Sequence, residues 1–329
     1  MSSPQAMSNT DQRAFSYLVG VGVAHSIAPP MHDFIANSLG YSWTFIAKEC
    51  PSVEDAMKLF REPTFAGGVV TMPYKVSIMG HLDGLDEHAT LLKACNNVYR
   101  AANGSLRGTN TDWRGIKGCL ASATSSGTCA EGRGKPAVLI GAGGAARAAL
   151  YVLHRELACR PIYVVNRDRG EVEAILEDAK VYGGKDEIEI IHLESVELAI
   201  KVDRVYGRPY YIVGTVPDFE PQTPSEIEAR SILDYFFQRA PKSKCGQEKG
   251  VLLDMCFKPL RTRTIKLAEN YGWTVVQGTN IIGHQIEEQY RLWCERDRDD
   301  DSSPVTDKIK KGAWEVLNRA AAESKLINF

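Results

Sequence analysis

A glycine turn near the middle of the chain limits the fold more than any other feature. Gly141-Ala-Gly-Gly-Ala-Ala146 follows the apolar run Ala137-Val-Leu-Ile140 and opens a helical segment, Ala145 to Glu156. The pattern is G-x-G-x-x-A between a buried strand and a helix. The first glycine permits a tight turn, and the second lets the backbone approach a pyrophosphate. The small last residue lets helix and strand pack closely. The helix start also offers unpaired N–H groups and the positive end of its dipole to an anion. Without a ligand the same turn would be an ordinary feature of an α/β domain. Its strand–turn–helix context makes dinucleotide binding the stronger reading.

The next strand, Ile162-Tyr-Val-Val165, ends in Asn166-Arg-Asp-Arg169. In a dinucleotide-binding fold this position meets the adenosine ribose. An acid there accepts the 2′-hydroxyl of NAD, whereas an arginine accommodates the 2′-phosphate of NADP. Asp168 stands between Arg167 and Arg169, so both signals are present. The expected cofactor is NAD, with NADP as the alternative, because an acid repels a phosphate at close range.

A βα rhythm also precedes the turn. Tyr17–Val23 reads as a buried strand, Pro29–Leu39 as a helix and Thr44–Ala47 as a second strand. A helix follows over Ser52–Phe60 with Ser52 as its cap, then a third strand over Gly67–Thr71. Ala121–Lys135, rich in Ser, Thr and Gly, reads as a connecting loop. Later strands are expected at Tyr210–Val213 and Val251–Leu253, with a helix over Glu171–Val181. Arg296–Pro304 is a polar break before an amphipathic terminal helix, Thr306–Lys325. Strands alternating with helices imply an α/β chain with parallel or mixed sheets.

Composition removes several function classes. Lys+Arg 39 against Asp+Glu 41 gives a net charge of -2, without the basic excess of a nucleic-acid binder. No apolar run is long enough to span a membrane. Met1–Arg13 is polar and reads as a lead-in rather than a signal peptide. The eight cysteines form no CxxC pair, so no metal site is expected and reduced thiols in a cytoplasmic protein fit best.

Several segments share an order and spacing. They are His25-Ser-Ile-Ala-Pro29, Val70-Thr-Met-Pro-Tyr-Lys75, Ala94-Cys-Asn-Asn-Val98, Gly108-Thr-Asn-Thr-Asp112, Leu253-Asp-Met-Cys-Phe-Lys-Pro259 and Gly278–Gln285. With the glycine turn they resemble the shikimate/quinate dehydrogenase family from about Tyr17 to Trp293. Val213-Gly-Thr-Val-Pro-Asp218 and the Leu-Asp-Met-Cys wording look most like its fungal quinate branch.

The resemblance implies an α/β fold of two domains with a cleft between them. An α/β substrate domain with a mostly parallel sheet would take residues 1–118, completed by helices in 283–329. A Rossmann dinucleotide-binding domain would take 119–282. The family's proton-transfer pair falls on Lys75 and Asp112. A lysine acting as a base must be neutral when it takes the proton, which desolvation favours and a neighbouring carboxylate opposes. Ser26 matches a residue that holds the substrate carboxylate. Thr71, Asn96 and Gln285 match residues that hydrogen-bond ring hydroxyls. On the cofactor side the matches are Gly141, Ala142, Gly143, Gly144 and Ala145 in the turn, then Asn166, Arg167 and Asp168, with Thr215 and Gly278. The implied partner is a small polyhydroxy ring carboxylate, with no nucleic acid and no membrane, handled by a monomer or homodimer.

Three positions depart from the family pattern. Ala28, Val69 and Phe257 stand where a second carboxylate-binding hydroxyl residue, an Asn and a Tyr are usual. Each removes a polar group, and His25, Tyr74 and Lys258 are the nearby candidates to compensate. The implied reaction moves hydride between a ring hydroxyl of quinate, or shikimate, and NAD(P). The alternatives are an NADP-dependent shikimate dehydrogenase and a catalytically silent sensor of the same ligand.

Overall fold

A computed structural model describes residues 13–124, 127, 129–183, 189–238, 250–294 and 302–329. The lead-in before Arg13, Cys245 and most of the polar break at 296–304 lie outside the described residues. In chain order the elements begin β1 (Ala14–Gly20), α1 (Ala28–Ser38), β2 (Trp43–Glu49), α2 (Val53–Arg61), β3 (Phe65–Val70), β4 (Gly84–Leu85), α3 (Glu87–Leu92), β5 (Asn97–Arg100), β6 (Leu106–Thr109) and α4 (Asp112–Ser122). They continue β7 (Ala137–Ile140), α5 (Gly144–Tyr151), β8 (Ile162–Val165), α6 (Arg169–Gly183), β9 (Ile190–His192), α7 (Val196–Tyr206), β10 (Tyr211–Gly214) and α8 (Pro224–Phe237). The last are β11 (Val251–Asp254), α9 (Arg263–Asn270), β12 (Thr274–Gln277), α10 (Thr279–Trp293) and α11 (Asp307–Glu323). No helix among the described residues is long and apolar enough to cross a membrane.

The chain divides into two compact units. One holds the described residues up to Thr90, with Ala94–Thr111 and Gln285–Ser324. The other holds Leu91–Lys93, Asp112–His284 and Lys325–Phe329.

The first unit has a mixed sheet in the order β2-β1-β3-β5-β6-β4. β1 pairs in parallel with β2 and β3, while β5 is antiparallel to both β3 and β6. β1 ends at Gly20 rather than running on to Val23. Gly22 takes a left-handed φ of 74°, which breaks the extended path, and its N–H donates to Glu49 at 2.7 Å. Ser52 caps α2 as expected, accepting the Asp55 N–H at 3.2 Å. Gly67 in β3 leaves room for the Trp293 indole: a Cβ there would lie 2.3 Å from the ring. Trp293 also donates to Asn97 Oδ1 at 3.1 Å. Its neighbour Tyr290 donates to the His32 carbonyl at 2.8 Å. His32 stacks on Phe45, and burial pushes it down to about 3, so it packs as a neutral ring. These contacts anchor the second half of α10 against α1 and the sheet.

The second unit contains a parallel sheet in the order β12-β11-β10-β7-β8-β9. Counting its strands from β7 gives 6-5-4-1-2-3, the doubly wound order with its reversal between β7 and β10. β7, β8, β10 and β11 are buried throughout, as expected of parallel strands covered on both faces. Their side chains alternate. Leu139, Val164, Val213 and Leu253 enter one core with Ala146 and Leu150 of α5. Val138, Tyr163, Ile212 and Leu252 enter the other with Phe236 and Ile265. The helix expected over Ala145–Glu156 is α5 followed by a π-helical turn at Val152–Glu156. The stretch expected to be loop, Ala121–Lys135, begins as the last turn of α4 because Ala121 and Ala123 pack on the core.

Candidate active-site residues

In the first unit, backbone pairing aligns the segments that carry the polar residues. The Val70 N–H donates to the Asn96 carbonyl at 2.8 Å, and the Asn96 N–H to the Thr109 carbonyl at 3.1 Å. The Cys95 N–H donates to the Lys75 carbonyl at 2.7 Å. Thr71 and Lys75 therefore leave β3 beside the strand edge that presents Asn96, and both are half-buried.

Asn96 sits in a neutral, buried cluster. Its Oδ1 accepts the Thr111 N–H at 2.6 Å. Its Nδ2 donates to Thr111 Oγ1 and to Gln285 Oε1, each at 3.1 Å. The Thr111 hydroxyl donates to Gln285 Oε1 at 2.6 Å, and Gln289, one turn along α10, reaches the same oxygen at 3.4 Å. All four residues are at most 6% exposed. Amides and a hydroxyl held this way offer fixed donors and acceptors without bringing charge into the interior.

Ser26 lies apart from these bonds. Its Oγ accepts the Ala28 N–H at 3.3 Å at the start of α1, and Glu49 holds the preceding loop through the Gly22 and Ala24 N–H groups. Tyr74 does not compensate for a missing polar group, because its hydroxyl is spent on the Cys50 carbonyl at 2.7 Å. Ala28 is buried, and Val69 and Phe257 are half-buried.

In the second unit, Gly141 has φ 102°, and a Cβ there would lie 2.5 Å from Thr215 Oγ1. Thr215 ties the turn to β10, its N–H and hydroxyl both donating to the Ile140 carbonyl at 3.0 and 2.7 Å. Ala142 is buried. Gly143 is the α5 N-cap, with no side-chain cap bond, and a Cβ on it would meet no protein atom within 4 Å. Gly144 and Ala145 form the first turn. Together they make an open cradle of backbone N–H groups at the strand-order reversal, which fits a pyrophosphate. Gly278, between β12 and α10, has no room for a side chain, as a Cβ would fall 2.3 Å from the Met255 carbonyl oxygen. Asp112, the first residue of α4, is buried.

The end of β8 is crowded with charge. Asp168 Oδ1 accepts the Glu171 N–H at 3.0 Å and caps α6. Asn166 donates to Glu171 Oε2 at 2.9 Å. Arg167 pairs with Glu226, and Arg169 with Glu173 at 3.2 Å.

A family profile described as the shikimate dehydrogenase substrate binding domain matches residues 18–98. The quinate dehydrogenase of Emericella nidulans is 36% identical over 303 residues, covering 88% of this chain and 90% of its own. The chain belongs to the shikimate/quinate dehydrogenase family. A family structure, shikimate 5-dehydrogenase from Thermus thermophilus with NADP(H) and shikimate, aligns with a TM-score of 0.67 at 25% identity, covering 93% of this chain and 99% of that one. Quinate dehydrogenase from Corynebacterium glutamicum with NAD aligns with a TM-score of 0.68 at 19% identity, over 94% and 100% of the two chains, and supports the fold.

Among the residues that the family resemblance marks, the fold brings Asn96 and Gln285 into direct contact. Thr111 was visible only as the middle of Asn-Thr-Asp, next to Asp112, and its burial is set by the fold. Gln289 is signalled only by its spacing of one helical turn from Gln285. Glu226 has no local signal, because its role depends on the tertiary contact with Arg167.

Proposed function

We propose that this chain is an NAD-dependent quinate dehydrogenase that converts a ring hydroxyl of quinate to a ketone, giving 3-dehydroquinate. The observation that carries the reading is the neutral Asn96–Thr111–Gln285 cluster beside the Lys75 backbone. A polyhydroxy ring needs such uncharged partners, and an unmatched buried polar group costs about 1–3 kcal/mol. The identity to a fungal quinate dehydrogenase supports quinate as the ring acid.

In this reading residues 1–118 with 283–329 hold substrate, and residues 119–282 hold cofactor. Asn96, Thr71 and Gln285 orient the ring hydroxyls, and Ser26 meets the carboxylate. Lys75, paired functionally with Asp112, accepts the hydroxyl proton as the C–H bond gives up its electron pair. A bound nicotinamide would supply the acceptor for that pair, transferred as hydride. Gly141–Ala145 hold the pyrophosphate through backbone N–H groups, with Thr215 and Gly278 shaping the space around it. Asp168 accepts the ribose 2′-hydroxyl. The protein acts on a small soluble acid in the cytoplasm as a monomer or homodimer, which light scattering after size-exclusion chromatography distinguishes.

A reduced-cofactor absorbance assay crossing quinate and shikimate with NAD and NADP tests the reading. The highest kcat/KM is expected for quinate with NAD. A higher value for shikimate or NADP overturns the corresponding half, and no turnover with any pair favours the silent sensor.

A further inference from the structure

The two arginines after β8 leave cofactor choice open in the sequence, and in the fold each has an acidic partner. Arg169 reaches Glu173 at 3.2 Å and Glu194 at 3.9 Å. Arg167 donates through Nη1 to Glu226 Oε1. Glu226 is itself fixed, because its Oε2 accepts the N–H groups of Gln222 and Thr223, each at 3.0 Å. Thr223 Oγ1 accepts the Glu226 N–H in return, which completes the capping box of α8. One carboxylate thus starts a helix with one oxygen and holds an arginine with the other. The backbone donors Thr223 and Gln222, then Arg167, hold its pKa down at about 2, so it stays charged.

We propose that Glu226 is a positioning residue for cofactor choice: it holds Arg167 away from the 2′ position of the adenosine ribose and so disfavours a 2′-phosphate. The proposal rests on the dinucleotide reading of the glycine turn and adds a second discriminator to Asp168. An arginine already paired to a fixed carboxylate must give up that pair before it can bind a phosphate, and the carboxylate then repels the newcomer.

The test uses the full chain and measures NAD and NADP dissociation constants by titration calorimetry. Glu226→Gln keeps an amide oxygen for the capping box, where Gln serves as well as Glu, but removes the charge that holds Arg167. The ratio of NADP to NAD dissociation constants should fall about fivefold, in keeping with the modest strength of an exposed ion pair. In an Arg167→Ala background the same substitution should change the ratio by less than about twofold, since the cation to be released is gone. An unchanged ratio in Glu226→Gln overturns the proposal. So does an equal gain without Arg167, which would reduce Glu226 to a distant repulsive charge. Wild type binding neither nucleotide would overturn the dinucleotide site and the proposal with it. Wild type preferring NADP, with the Arg167-dependent gain intact, would overturn the NAD preference alone.

Discussion

The polar cluster around Asn96 draws its atoms from chain segments 15, 174 and 189 residues apart, whereas the turn at Gly141 uses consecutive residues. In the first, side chains from distant segments bond to one another, joined by the Thr111 N–H. In the second, the proposed binding groups are backbone N–H groups, left accessible by small residues. The difference predicts how each region fails. A side-chain site should lose chemistry while keeping its fold, and a backbone site should lose binding through shape.

The largest effect is expected on the side-chain side. Lys75→Ala should lower kcat at least about 100-fold, as expected when a general acid/base is removed. The NAD dissociation constant measured by calorimetry should stay within about twofold, because the Gly141 turn does not depend on that side chain. Turnover within a few-fold of wild type would show that Lys75 is not the proton acceptor.

Two glycines separate shape from occupancy in the backbone site. Gly141→Ala forces a Cβ to within 2.5 Å of Thr215 Oγ1 at a left-handed φ, and strain of this kind costs about 1–3 kcal/mol. Cofactor affinity should fall about 30-fold, with a lower melting temperature. Gly143→Ala meets no protein atom within 4 Å, so its melting temperature should stay near that of wild type while affinity falls comparably, its Cβ entering the space assigned to the pyrophosphate. If Gly143→Ala binds NAD normally, the cradle is not where the cofactor lies.

This contrast also explains what could be read before folding. The Gly141 turn was legible because strand, turn and helix are adjacent in sequence and each glycine has its own steric reason. The parallel sheet around it followed from the rhythm of buried strands. The antiparallel β5 and β6 of the first sheet escaped notice, since short strands carry little periodic signal. Asn96 and Gln285 were marked only by resemblance, as no spacing rule links residues 189 positions apart. The charges after β8 were visible, but their balance was not, because Glu226 lies 59 residues from Arg167.

A smaller effect is expected within the polar cluster. Thr111→Val removes the hydroxyl that Gln285 Oε1 accepts at 2.6 Å while keeping the shape of the side chain. The KM for quinate should rise about tenfold, as expected for a buried hydrogen bond, with kcat less affected because the proton acceptor is intact. An unchanged KM would make the cluster a packing device rather than a binding surface.

The smallest effect distinguishes the neutral cluster from a buried carboxylate in the second unit. Asp254 ends β11, where its oxygens accept the Thr262 hydroxyl at 2.6 Å and the Cys256 N–H at 3.2 Å. Burial pushes its pKa up to about 7; those two hydrogen bonds oppose the shift, and nearby Asp218 adds to it. An unfolded aspartate titrates near 3.8, so between about 4 and 7 the native chain retains a proton that the unfolded chain has lost. Stability from this group is therefore fullest at low pH, falls as pH rises through that window and levels off above it. Asp254→Asn keeps a neutral side chain throughout, so its melting temperature relative to wild type should climb by a few degrees from pH 5 to 7 and then stay constant. Thr111→Val changes no ionisable group, so its offset from wild type should not vary with pH. A flat Asp254→Asn offset would mean that the carboxylate is already ionised in the fold, leaving the two buried polar regions alike in their response to protons.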